Sequence, residues 1–110
     1  MTPLRSSHLG IAVGLCLVPF VQGQVSWFDG GELSAAAAGL GVAHPTGFPL
    51  LCVLGYAAQL LPLGSVPFKL ALLCALAVGA TTAFIHATAV ANGARAWPAA
   101  LGALFFPGVS

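Results

Sequence analysis

Residues 66–91 read VPFKLALLCALAVGATTAFIHATAVA, with Lys69 as the single charge. A helix of this length would measure about 39 Å, against a hydrocarbon core of about 30 Å. The run therefore predicts a membrane-crossing helix. Ala71, Ala75, Gly79, Ala83 and Ala87 recur at every fourth position. Small residues spaced this way let a second helix approach closely, so the span is expected to have helical neighbours.

Composition carries the same message through the rest of the chain. The 110 residues are 59% hydrophobic and 5% charged, with a mean hydropathy of +1.03. Soluble domains carry about 25% charged residues. A surface this poor in charge is suited to lipid, so the expected fold class is an all-α membrane protein. Lys and Arg together number three, which excludes an electrostatic nucleic-acid footprint. Cys16, Cys52 and Cys74 stand apart in apolar runs. Their spacing suggests neither a metal site nor a disulfide framework, and they read as buried or lipid-facing thiols.

Upstream, residues 8–25 have two readings. They form a first transmembrane helix bent near Pro19, or a secretion signal cleaved after Gly23. The membrane character of the later segments favours a retained helix. Residues 26–65 then form a loop with two short helices, near 30–40 and 49–61. The first is alanine-rich, with Gly39 and Gly41 as stop signals. The second, about 20 Å long, is too short to cross upright. Cys52, Gly55, Tyr56 and Gln59 share one side of it, which suits a helix on the membrane surface or packed against the protein. Residues 96–110 begin a further helix that stops inside an apolar run, so the chain reads as the N-terminal fragment of a polytopic protein. Arg5 and Arg95 flank the spans on one side, read as cytoplasmic. The stretch 22–65 lacks Lys and Arg and is expected outside or in a lumen.

Both acidic residues, Asp29 and Glu32, lie in this loop. Asp-x-x-Glu ahead of a helix has the spacing of a capping box, with Asp29 as cap and Glu32 reaching back. A carboxylate at a membrane surface can also serve as a general base. The two roles are compatible. His44, restrained by Pro45, is either a structural hydrogen-bonding residue or a positioning group. Lys69 either snorkels to the interface or meets a phosphate. His8 and His86 show no partners in the sequence.

The stretch FDGGELSAAAAGLGVAHPTGFPLLCVLGYAAQLLPLGSVPFKLALLCAL, residues 28–76, resembles a membrane glycosyltransferase family that includes transmembrane protein 260. Asp29, Gly31 and Glu32 match its acidic element. Gly41 to Pro45, Gly47, Pro49 and Leu50 match its His-Pro element, and Gly64 and Ser65 its turn. Lys69 stands where an arginine is usual. Gly30, Thr46, Phe48 and Ala71 depart from the usual serine, proline, tyrosine and asparagine, which bears on substrate identity more than on chemistry.

The resemblance implies a GT-C-like helical bundle whose first external loop carries juxtamembrane helices. It implies sugar transfer, mannose in one version, from a polyprenyl- or dolichyl-phosphate donor to a hydroxyl on an acceptor protein or glycan. Asp29 would be catalytic, with Glu32, His44 and Lys69 binding substrate or positioning the loop. No metal or other cofactor is expected, and the membrane would be a bacterial inner membrane or the endoplasmic reticulum. The alternative is a small non-catalytic membrane protein that packs through its Ala/Gly stripe.

Overall fold

The computed structural model describes residues 5–21, 30–45 and 47–105. Among these, all regular structure is helical: α1 (Ser6–Leu17), α2 (Gly30–Gly39), α3 (Pro49–Gln59), α4 (Val66–Ala91) and α5 (Ala96–Phe105). A single 3-10 turn, Val18–Phe20, follows α1. Pro19 lies within that turn, where it can donate no backbone N–H to continue the α-helical ladder. Among the described residues, α4 alone is long and apolar enough to cross a membrane, and only 22% of its most apolar 18-residue window is buried. The core helix of a soluble protein would be mostly covered.

The buried and exposed sets are inverted relative to a water-soluble domain. The buried apolar side chains are mainly alanines, including Ala36, Ala37, Ala75 and Ala103, while Leu50, Leu60, Phe84 and Phe105 are exposed. Small residues inside allow backbones to approach, and large apolar residues outside suit a lipid solvent.

The chain divides into two compact units, one of residues 20–74 and the other of residues 1–19 with 75–110. In the first unit α2 packs on α3. They meet closely at Gly55. A Cβ there would lie 2.7 Å from the Ala37 Cβ and 3.0 Å from Leu70 Cδ1. The inward side of α3 is Cys52 and Gly55, while Leu50, Val53 and Leu54 face outward. Helix α3 therefore packs on the protein with its small residues and leaves an apolar face open.

Helix α2 ends in a six-residue C-cap: the Gly41 N–H donates to the Ala36 carbonyl at 2.8 Å. This geometry needs a left-handed residue at position 40, which is Leu40 at φ 49° rather than either neighbouring glycine. Gly39 is the last helical residue instead of the stop. Helix α4 is preceded by Ser65, whose hydroxyl accepts from the Phe68 N–H at 3.4 Å.

In the second unit, α1 runs against the part of α4 from Ala75 onward. A Cβ on Gly10 would meet Ala83 Cβ and the Gly79 carbonyl at 2.6 Å, and one on Gly79 would meet the Gly10 carbonyl at 2.6 Å. The expected helical neighbour is thus α1, approaching through Gly10 and Gly14. The fully covered positions on this part of α4 are Ala75, Gly79, Thr82 and His86, while Ala87 is exposed. A strict four-residue repeat drifts about 40° per step on a 3.6-residue helix. Contact therefore passes from the alanine stripe to Thr82 and His86.

Helix α4 closes with the same cap as α2, Ala94 N–H to the Ala89 carbonyl at 3.0 Å. Here Gly93, at φ 90°, occupies the left-handed position. His86 is 1% exposed. Its Nδ1 lies 2.9 Å from Ser6 Oγ, and its Nε2 lies 3.1 Å from the Ala96 carbonyl. One ring thereby holds the first residues of α1 and α5, which puts Arg5 and Arg95 at the same end of this unit.

Candidate functional site

The polar centre of the first unit joins α2 to the turn before α3. Glu32, in the first turn of α2, sends its carboxylate to His44. The His44 backbone N–H donates to Oε1 at 2.6 Å, and the ring Nδ1 lies 3.2 Å from Oε2. A carboxylate only accepts, so Nδ1 carries the proton in this contact. The capping-box arrangement would aim Glu32 at residue 29. Residue 29 lies outside the described residues; among those described, the Glu32 carboxylate reaches forward by twelve positions.

Local geometry fixes the ring. The Gly47 N–H donates to the His44 carbonyl at 2.9 Å, closing a four-residue turn with Pro45 in its second position. Proline supplies the φ such a turn needs. Phe48 follows in the left-handed region, at φ 42°, and caps α3 by accepting from the Cys52 N–H at 2.9 Å. Its ring meets that of His44 edge-on, at a centroid separation of 5.6 Å. Two non-glycine residues in strained conformations, Leu40 and Phe48, thus bracket the His44 segment. Such conformations cost about 1–3 kcal/mol each and concentrate at functional sites.

Electrostatically the contact is open. The His44 side chain is 37% exposed and that of Glu32 49%. Even a fully charged exposed pair contributes only about 0–1 kcal/mol, so this contact orients the ring more than it stabilises the fold. The far side of the segment is apolar. A groove of about 290 Å³ is lined by Leu40, Val42, Gly47, Pro49, Cys52 and Val53. Polar and apolar surfaces therefore flank one short segment.

The remaining sequence candidates fall elsewhere. Asp29 lies outside the described residues. Lys69 is half-buried, and its ammonium donates to the Gln59 carbonyl at 3.2 Å, in the last turn of α3. There it offsets the negative end of a helix dipole. The structure brings Glu32 and His44 together. Lys69 contacts the end of α3. Among the described residues, no three His, Cys, Asp or Glu side chains cluster to hold a metal ion. His86 is a polar residue that sequence reasoning left unassigned. Its partners lie ten and eighty residues away, and only its place on the α1-facing side of α4 hinted at them.

Together these features define an all-helical arrangement among the described residues, with one helix long and apolar enough to cross a membrane and with Glu32 of α2 meeting His44 of the turn before α3. Residues 29–99 match the family described as protein O-mannosyl-transferase TMEM260 N-terminal domain, and the chain belongs to that family. The matched span opens on Asp29 and takes in Glu32, His44 and Lys69. Over 59 residues the chain is 49% identical to protein O-mannosyl-transferase TMEM260 of Mus musculus. That match takes in 51% of this chain and 8% of the mouse protein. No solved structure matches.

Proposed function

We propose that this chain forms the N-terminal part of a membrane glycosyltransferase with a GT-C-like bundle. The reaction is transfer of a sugar, mannose by analogy with the mouse relative, from a polyprenyl- or dolichyl-phosphate to an acceptor hydroxyl on protein. Asp29 accepts the proton of that hydroxyl as its oxygen attacks the anomeric carbon, and the lipid phosphate departs. Glu32 and His44 shape the loop around the acceptor. The leaving phosphate carries negative charge and needs a cation nearby. An ammonium has three donors. One of those on Lys69 goes to Gln59, which leaves two for a phosphate. The loop 22–65 faces the outside or lumen, and the two arginines face the cytoplasm, of a bacterial inner membrane or the endoplasmic reticulum.

The observation that carries this reading is the family match over the segment that contains both carboxylates. The Glu32–His44 contact supports it by giving the loop a defined polar centre. Asp29→Asn in the full-length protein tests it. Asparagine caps a helix as well as aspartate does but cannot take the proton. Transfer from a polyprenyl-phosphate sugar is expected to fall about 100- to 10,000-fold, with unchanged membrane insertion. Activity within a few-fold of wild type would reduce Asp29 to a helix cap.

A further inference from the structure

We infer that the groove between α1 and α4 holds one acyl chain of an anionic phospholipid, whose headgroup phosphate sits at the end marked by Arg5 and Arg95. This goes beyond the proposed reaction and does not depend on it. It concerns only the unit of residues 1–19 and 75–110.

The groove has a volume of about 350 Å³ and an almost wholly apolar lining. Where α1 and α4 touch, at Gly10, Gly14 and Gly79, no side chain fills the space beside the contact. Ile11, Leu15 and Leu76 stand around it and are exposed, so the groove opens outward. Beside a membrane-crossing α4, outward is hydrocarbon.

Length decides between occupants. The lining runs from Ser7 to Val18 on α1, about 17 Å, and from Leu76 to Ala83 on α4, about 10 Å. A further helix crossing the bilayer needs a face of about 30 Å. The groove offers roughly half of that, which is the depth of one leaflet. A single lipid chain fits that depth, entering at the Ser7 end.

Charge selects the headgroup. Arg5 and Arg95 are exposed at that same end, which the His86 contacts to Ser6 and Ala96 draw together. The only acidic side chains of the chain, Asp29 and Glu32, belong to the other unit. The two guanidinium groups therefore meet no carboxylate side chain of their own unit, and a phosphate supplies the missing countercharge. Trp97, 66% exposed in the first turn of α5, marks the same level as the headgroup layer, where indole rings collect. The Ser7 hydroxyl, at the mouth of the groove, adds a donor for a phosphate oxygen. Basic sites between membrane helices on the cytoplasmic side commonly bind anionic headgroups in this way.

Photo-crosslinking tests the assignment. The full-length protein is placed in phosphatidylcholine vesicles with a trace of phosphatidylglycerol carrying a diazirine in one acyl chain. Phosphatidylcholine with the same diazirine chain serves as the neutral probe. Adducts are mapped by peptide mass spectrometry. The anionic probe should label the α1 and α4 peptides that line the groove about 30-fold more than the neutral one. Each of Arg5→Gln and Arg95→Gln should lower that preference about fivefold, since a basic residue near the surface is worth about that much in anionic-lipid binding. Ala80 lines the groove and is exposed, so Ala80→Phe should fill it and abolish the adducts. Ala77→Phe, exposed on α4 but outside the lining, should leave them unchanged. The arginine variants leave the groove intact, so they test the proposal even where Ala80→Phe fails to fold. Equal labelling by the two probes, a preference that survives loss of both arginines, or adducts that persist in a folded Ala80→Phe would each overturn it. So would the absence of adducts from these peptides, which would mean that another helix covers the groove, or their displacement by a polyprenyl phosphate, which would assign the groove to the sugar donor.

Discussion

Helices α2 and α4 end in the same way and with opposite residues. Both close on a bond from the second residue past the helix cap back to the last turn, Gly41 to Ala36 and Ala94 to Ala89. At the left-handed position α4 has Gly93, while α2 has Leu40. The difference extends to the two units. In the one built on α1 and the later part of α4, glycine sits where backbones meet, and the buried His86 bonds through both ring nitrogens. In the one built on α2 and α3, two bulky residues occupy glycine's conformation on either side of His44. The α1–α4 unit is closely packed. The α2–α3 unit keeps strain beside its polar centre, as functional sites commonly do.

The strongest way to break this comparison is at the helix contact. Gly79→Ala places a Cβ 2.6 Å from the Gly10 carbonyl, whereas Gly102→Ala meets nothing within 4 Å. The first should destabilise by about 1–3 kcal/mol through overpacking. The second should be neutral, or stabilising by up to about 1 kcal/mol from helix propensity. Thermal inactivation of the full-length protein in detergent measures both. Equal effects would show that α1 does not press on α4 in the membrane.

Next comes His86→Phe, which keeps bulk and removes both bonds. Interhelical hydrogen bonds in membranes average about 0.6 kcal/mol and reach about 1.7. Losing two should cost about 1–3 kcal/mol in the same assay. No loss would mean that Ser6 and Ala96 are not held by the ring.

The smallest effect sharpens the other side. Leu40→Gly removes a left-handed penalty of about 1–2 kcal/mol and adds unfolded-state entropy of about 0.5–1 kcal/mol. A net gain of roughly 0.5 kcal/mol is expected, with transfer activity unchanged or lower. A clear loss of stability would show that the Leu40 side chain is needed where it stands.

The long helix was legible in the sequence because one property decides it: an unbroken apolar run long enough for a bilayer. Helical structure throughout followed from alanine and leucine runs punctuated by Gly and Pro. The partner of α4 was legible in principle, since Gly10 and Gly14 stand four apart as Ala75 and Gly79 do. Two things were not legible. Glu32 meets His44 across twelve positions, through a turn whose direction depends on a left-handed leucine that no propensity rule selects. His86 finds a serine eighty residues earlier, a distance on which local pattern is silent. Gly39 and Gly41 marked the end of α2 to within a residue, but not that Leu40 takes the left-handed position between them. The position of a C-cap is set by which carbonyl the returning N–H reaches, and that carbonyl is Ala36.

The His86 junction has a consequence for how the protein is made. Ser6 emerges from the ribosome first, the imidazole eighty residues later, and the Ala96 carbonyl ten residues after that. Until the last of these arrives, a buried imidazole N–H lacks its acceptor, and an unsatisfied group of this kind costs about 1–3 kcal/mol. The three-way contact therefore closes only after Ala96 has been added, so the docking of α1 on α4 is completed late in the synthesis of this segment.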